Sequence, residues 1–170
     1  EIHKQLLVKS GVEMVQGWGS FADPNTIIVK PLEDNIGERK LYGSRILIAV
    51  GGRAIRPKIK GSELGWISDD IFQLKKLPKK LIIIGAGFIA CEFSCILNQL
   101  GVEVIQLVRG KKLLKGFDNE ISFELAKIMK SNGINLIFEQ SVSSIDGNQG
   151  NLRVINNLGE EVFSEAVLFA

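Results

Sequence analysis

Lys80-Leu81-Ile82-Ile83-Ile84-Gly85-Ala86-Gly87-Phe88-Ile89-Ala90-Cys91-Glu92 is a run of β-formers that enters a glycine-rich turn and leaves it as an apolar helix. Gly85 permits a tight turn, Gly87 lets the backbone approach a pyrophosphate, and the small Ala90 lets the new helix pack close against the strand. A pyrophosphate would sit at the helix N-terminus, where unpaired N–H groups and the positive end of the helix dipole favour an anion. A lone Gly-x-Gly-x-x-Ala also occurs in crowded structural turns, so its neighbours decide. Ile89, Phe93, Ile96, Leu97 and Leu100 recur at helical spacing until Gly101 stops the helix, and residues 102–108 read as the second strand of a parallel pair. The spacing predicts a dinucleotide-binding βαβ unit.

The end of the second strand bears on which dinucleotide. In NAD-binding units an acid about 20 positions beyond the glycines accepts hydrogen bonds from the ribose hydroxyls. Here the strand ends in Val108-Arg109, and Glu103 lies at its start, the wrong end of the sheet. Residues 109–115, Arg-Gly-Lys-Lys-Leu-Leu-Lys, place four cations where a ribose 2′-phosphate would lie, which favours NADP(H) over NAD. Arg109 is the expected anchor, since its planar fork can hold two phosphate oxygens, with Lys115 closing on the same group. Lys111 and Lys112 read as solvated loop charges.

With these residues in place the chain resembles the pyridine nucleotide-disulfide oxidoreductases, and among them the glutathione reductases of plant and cyanobacterial kind. The resemblance covers essentially the whole chain. Residues 46–53, Ile-Leu-Ile-Ala-Val-Gly-Gly-Arg, and the later Pro57 are similar to the family's strand ending in Ala-Thr-Gly-Gly; residues 67–78 resemble its crossing segment; residues 85–92 resemble Gly-x-Gly-Tyr-Ile-Ala-x-Glu; and residues 109–118 resemble Arg-Gly-x-x-x-Leu-Arg-Gly-Phe-Asp. Val50, Phe88 and Lys115 depart from the usual Thr, Tyr and Arg. The resemblance implies cofactor contacts from Gly85, Gly87, Phe88, Ile89, Ala90, Glu92, Arg109 and Lys115, with Gly51 and Gly52 at the flavin-side turn. Phe88 keeps an aromatic face that could cover the flavin, and Glu92 by resemblance meets the nicotinamide carboxamide; packing and dipole compensation are the structural alternatives for these two.

The family passes hydride from NADPH to FAD, then to a Cys-x4-Cys disulfide, then to a substrate disulfide with a His-Glu pair. Here the only cysteines, Cys91 and Cys95, lie one helical turn apart and point the same way, which suits neither a disulfide nor a metal site; they read as buried, inert thiols. His3 stands alone and reads as solvated. No FAD-type glycine fingerprint precedes the first strands. No catalytic residue and no metal ligand is therefore expected in this chain. It reads as a piece of a longer flavoenzyme that carries FAD and is a homodimer, with the dinucleotide and the remaining domains as its partners.

A chain of 170 residues can bury about 70% of its extended surface. With 45% apolar and 24% charged residues the composition is that of a soluble globular protein. A net charge of +2 gives no argument for nucleic acid or a membrane, and no apolar run approaches the roughly 20 residues of a spanning helix. Two unpaired cysteines fit a reducing, cytoplasmic setting.

The expected fold is α/β: a Rossmann-like, three-layer NAD(P)-binding domain at residues 58–170, preceded at residues 1–57 by an antiparallel piece of an FAD domain. In the first part a helix end over residues 2–10 precedes a meander of strands over residues 12–21, 26–29 and 39–42. Its turns fall at Ala22-Asp23-Pro24-Asn25 and around Asn35-Ile36-Gly37; by the resemblance, residues 42–50 lead into the strand that touches the flavin in the family. In the second part Asp118 caps a helix with Ile121, Leu125, Ile128 and Met129 on one face, closed by Gly133. Residues 134–138 form a third parallel strand; a hairpin sets Leu152, Val154 and Ile155 against Val162 and Phe163; residues 166–170 form a last apolar strand. Two other readings are an NAD-preferring relative, such as a dihydrolipoamide dehydrogenase or a soluble transhydrogenase, and a non-catalytic redox-sensing module.

Overall fold

The computed structural model describes residues 2–33 and 37–170. The chain divides into two compact units, Glu1–Gly51 and Gly52–Ala170. The expected turn around Asn35-Ile36-Gly37 falls outside the described residues.

The first unit holds helix α1 (Ile2–Lys9) and strands β1 (Trp18–Asp23), β2 (Thr26–Lys30) and β3 (Arg39–Tyr42), an antiparallel sheet in the order β1-β2-β3. The β1–β2 turn is built by side chains: the Asn25 N–H donates to Asp23 Oδ1 at 2.8 Å, and Asn25 Nδ2 donates to the Gly43 carbonyl at 2.9 Å. Two expectations fail in this unit. The first strand begins only at Trp18, so residues 12–17 stay outside the ladder, and residues 43–50 form no strand. Neither segment joins a strand ladder among the described residues, and Leu47, Ile48 and Val50 are exposed. β-propensity without a partner strand leaves backbone groups unsatisfied and makes no ladder.

The second unit opens with a crossing segment that contains a short 3₁₀ turn (Ser62–Leu64) and α2 (Ser68–Ile71). It then runs through β4 (Lys80–Ile84), α3 (Phe88–Gln99), β5 (Glu103–Val108), α4 (Asn119–Ser131), β6 (Asn135–Phe138), β7 (Val142–Asn148), β8 (Asn151–Asn156), β9 (Glu161–Ser164) and β10 (Ala166–Phe169). Strands β10-β4-β5-β6 form a parallel sheet, and β7-β8-β9 form an antiparallel sheet.

Alternation along β4 divides the core. Leu81 and Ile83 join Ala90, Cys91, Leu97, Met129 and Leu168 on the helical face, while Ile82 joins Leu107, Ile145, Leu152, Val154 and Phe169 on the face covered by the antiparallel sheet. The result is the three-layer α/β arrangement expected of the sequence. The crossing segment is held to the last strand by Trp66 N–H to the Val167 carbonyl at 2.7 Å and Phe169 N–H to the Trp66 carbonyl at 2.9 Å.

The helices turn differently from the expectation. In α3 the buried residues are Ala90, Cys91, Ser94 and Leu97, with Ile96 and Leu100 exposed. In α4 they are Ser122 and Met129, with Leu125 and Ala126 half-buried and Ile121 and Ile128 exposed. Small residues, Ala90 and Ser94 in α3 and Ser122 in α4, are buried alongside Leu97 and Met129, and they allow a close helix–sheet approach. The hairpin is also one strand larger than expected: β7 pairs with β8, and Arg153 lies opposite the exposed Phe163.

Candidate functional site

The C-terminal ends of β4, β5 and β10 open on a cleft of about 770 Å³. Crevices at this edge of an open α/β sheet are where ligands bind. Gly85, Ala86, Gly87 and Phe88 contribute one wall; Arg109, Gly110, Lys112, Leu114, Lys115 and Phe117 contribute another.

The two glycines differ in what they need. Gly85 has φ +150, and a Cβ there would collide with the Ala170 carbonyl and approach the Ala90 Cβ to 3.4 Å, so this position is glycine for reasons internal to the fold. Gly87 has φ −77 and ψ 177, ordinary extended backbone, and a Cβ there would meet no atom within 4 Å. Nothing within this unit requires Gly87 to lack a side chain. It is also the N-cap of α3, where Ser, Thr, Asp or Asn would cap the helix, and no side chain does so. The first N–H groups of α3 therefore have no side-chain cap, and the turn that leads into them lines the cleft with bare backbone.

The opposite wall is a loop folded onto this turn. The Leu114 N–H donates to the Ala86 carbonyl at 2.7 Å, with Leu114 buried at a left-handed φ of 50. A left-handed leucine costs on the order of 1 kcal/mol, which the backbone bond and the burial offset. This contact sets the path of residues 109–115. Arg109 and Lys115 are exposed on the cleft, and among the described residues no carboxylate pairs with either. Lys111 pairs with Glu139 at 3.7 Å outside this cleft, and Lys112 Nζ donates to Asn119 Oδ1 at 2.6 Å and the Phe117 carbonyl at 3.3 Å.

Of the residues expected to contact a cofactor, the cleft brings together Gly85, Gly87, Phe88, Arg109 and Lys115. Ile89, Ala90 and Glu92 do not line it: Ala90 is fully buried against the Gly85 turn, and Glu92 is exposed one turn into α3. Gly51 and Gly52 stand at the boundary of the two units with open space around them. Two residues escape sequence reasoning. Leu114 gives no sign of its left-handed backbone, and Gln106, wholly buried, donates from Nε2 to the Gly85 carbonyl at 3.0 Å. The signal for Gln106 is visible afterwards, as the one polar residue in Val104-Ile105-Gln106-Leu107-Val108.

Cys91 is buried and Cys95 half-buried, both as free thiols. Burial pushes the Cys91 thiol up from its usual range against a lowering hydrogen bond from Gln106, and burial alone raises Cys95. Among the described residues no group of three His, Cys, Asp or Glu side chains could hold a metal. No helix among them is long and apolar enough to cross a membrane.

Residues 2–170 match the sequence pattern of the family described as pyridine nucleotide-disulphide oxidoreductase. The chain belongs to this family. As a pyridine nucleotide-disulphide oxidoreductase it is 42% identical over 146 residues to a glutathione reductase of Nostoc sp., 86% of this chain and 30% of that protein. It is 35% identical to a glutathione reductase of Burkholderia cepacia over 99% of this chain and 36% of the relative. With the chloroplastic/mitochondrial glutathione reductase of Pisum sativum the identity is 37%, over 99% of this chain and 30% of the relative. The chain thus spans about a third of the length of these relatives. The HOCl-induced flavoprotein disulfide reductase RclA of Escherichia coli has a similar fold, with a TM-score of 0.81 at 23% identity over 99% of this chain and 38% of that one. Its Cu(II) complex matches with a TM-score of 0.82 at 24% identity.

Proposed function

We propose that this chain is the NADP(H)-binding portion of a glutathione-reductase-like flavoenzyme, which passes hydride from NADPH through FAD to a redox disulfide and on to glutathione disulfide. The observation that carries the proposal is Gly87: its bare backbone has no steric or conformational cause within its own unit and faces a cleft at a helix N-terminus. A pyrophosphate accounts for it. The glutathione reductase relatives support the reaction.

When bound, the nicotinamide would supply the hydride. In this reading the residues of the chain hold and aim it. The turn at Gly85-Ala86-Gly87 and the first N–H groups of α3 neutralise the pyrophosphate without a counter-cation, because an anion at a helix N-terminus is stabilised by aligned peptide dipoles. Arg109 takes the ribose 2′-phosphate as a bidentate partner, Lys115 adds charge from the far end of the loop, and the apolar walls at Ile59, Ile84 and Leu107 exclude water from the rest of the ligand. Phe88, 59% exposed at the rim, is the residue assigned to screen the flavin, and Glu92 the partner of the nicotinamide carboxamide. The domain assignment proposed with this reading is an FAD-domain segment at residues 1–57 and the nucleotide domain at 58–170, in a cytoplasmic homodimeric parent.

Calorimetric titration of the chain with NADP and with NAD tests the proposal. Saturable binding of NADP, tighter than NAD, is the expected result. Equal affinity for the two overturns the 2′-phosphate assignment, and binding of neither overturns the nucleotide reading.

A further inference from the structure

The least expected residue of the parallel sheet is Gln106. It lies in the middle of β5 with no exposed surface, at a position where an aliphatic residue is the default. A primary amide buried there is costly unless its donor and acceptor are both used. Both are. Ser94 of α3, equally buried, donates its hydroxyl to Gln106 Oε1 at 2.8 Å, and Gln106 Nε2 donates to the Gly85 carbonyl at 3.0 Å. The Gly85 carbonyl, which can only accept, fixes the amide with its nitrogen towards the turn, and the Ser94 hydroxyl, able to donate, satisfies the oxygen left at the other end.

The consequence follows from the planarity of the peptide group. In a trans peptide the C=O and N–H point in opposite directions, so drawing the Gly85 carbonyl towards β5 turns the Ala86 N–H away from the core. The next peptide is held the same way, its Ala86 carbonyl accepting from Leu114 N–H at 2.7 Å, which turns the Gly87 N–H away from that bond. Two successive carbonyls of the turn are thus tied down on the protein side.

Resting on the dinucleotide reading above, we propose that Gln106, oriented by Ser94, is a positioning residue that preorganises the Gly85-Ala86-Gly87 turn, so that its N–H groups face the pyrophosphate before the ligand arrives. Gln106 does not touch the ligand. It acts through the carbonyl it holds, and it contributes to affinity for the pyrophosphate alone.

The test uses two forms of the 170-residue chain, Gln106→Met and the double change Ser94→Ala with Gln106→Met. The single change keeps side-chain volume but strands the Ser94 hydroxyl. The double change removes the Ser94–Gln106 pair together and leaves only the Gly85 carbonyl without its donor, so it costs less than the single change, and a cooperative melt shows that the turn is tested in a folded protein. Each is titrated with NADP and with adenosine 2′-monophosphate, which carries the phosphate read by Arg109 and lacks a pyrophosphate. The expected result is a loss of about tenfold in NADP affinity in both variants with unchanged affinity for the monophosphate. An equal loss for both ligands would make Gln106 an ordinary core residue, and unchanged NADP affinity in the double variant would remove it from the grip; either result overturns the inference while leaving the nucleotide reading intact. Failure of the unmodified chain to bind NADP overturns the nucleotide reading and this inference with it.

Discussion

At Gly87 an added Cβ meets no atom within 4 Å and no disfavoured backbone angle, so the site can be tested there with little disturbance of the fold. Gly87→Val should abolish NADP binding by calorimetry and leave the melting temperature within a few degrees. A large fall in melting temperature would mean that the position matters to packing instead. Arg109→Ala should weaken NADP binding roughly ten- to a hundredfold, the loss expected when one charged hydrogen-bonding partner worth about 1.5–3 kcal/mol is removed, with NAD binding almost unchanged. Equal losses for both nucleotides would assign Arg109 to the pyrophosphate or to the fold. At this scale the sequence is legible wherever spacing dictates position: a glycine turn after one parallel strand and a cation after the next must meet at the same sheet edge. Gln106 and Leu114 are not legible, because each takes its role from a group brought near by tertiary structure, the Gly85 and Ala86 carbonyls respectively.

The helices show where apolar periodicity misleads. Both α3 and α4 carry more large apolar residues than one buried face can use: of the expected stripes Leu97 and Met129 are buried and Phe93 and Leu125 pack on the core, while Ile96, Leu100, Ile121 and Ile128 are exposed. What decides is the closeness of the helix to the sheet, which selects Ala90 and Ser94 over Ile96, and Ser122 over Ile121. Ala90→Leu should accordingly cost about 1–3 kcal/mol by overpacking, whereas Ile96→Ala and Ile128→Ala should stay within about 0.5 kcal/mol. Urea denaturation midpoints check this, and a costly Ile96→Ala would show that the exposed stripe is packed in solution. The strands β4, β5, β6 and β10 were readable because strands buried on both faces are continuous apolar runs. Strand β7, Val-Ser-Ser-Ile-Asp-Gly-Asn, was not, since it buries only Ile145 and is held by its ladder to β8. The misplaced strands over residues 12–17 and 43–50 fail for the reverse reason, having the composition of a strand and no neighbour to pair with.

Over the molecule as a whole, the two hydrophobic clusters lie wholly within residues 52–170. Residues 52–170 produced alone should therefore melt cooperatively and, on the nucleotide reading, bind NADP as the longer chain does; loss of either property would give residues 1–51 a part in the fold or the cleft of residues 52–170. The same core sets an alkaline limit. Burial raises the Cys91 thiol, so the folded state favours its protonated form. That contribution is fully present below the usual thiol range, about pH 8.5, and is lost as pH rises through the elevated value. Melting temperature should fall less between neutral and alkaline pH in Cys91→Ala than in the unmodified chain, and identical slopes would exclude the thiol. The loop carrying Arg109 and Lys115 takes its course from main-chain bonds, Leu114 to Ala86 and Glu139 to Gly110, and from Lys112, which donates to the Phe117 carbonyl and to Asn119; no hydrogen bond or ion pair of Arg109 or Lys115 holds it among the described residues. Arg109 and Lys115 are therefore free to vary, while the backbone and the buried Leu113 and Leu114 are not. On the nucleotide reading, coenzyme preference and foldability are inherited separately in such a scaffold: a lineage can exchange one nucleotide for another by replacing exposed side chains that the fold does not use.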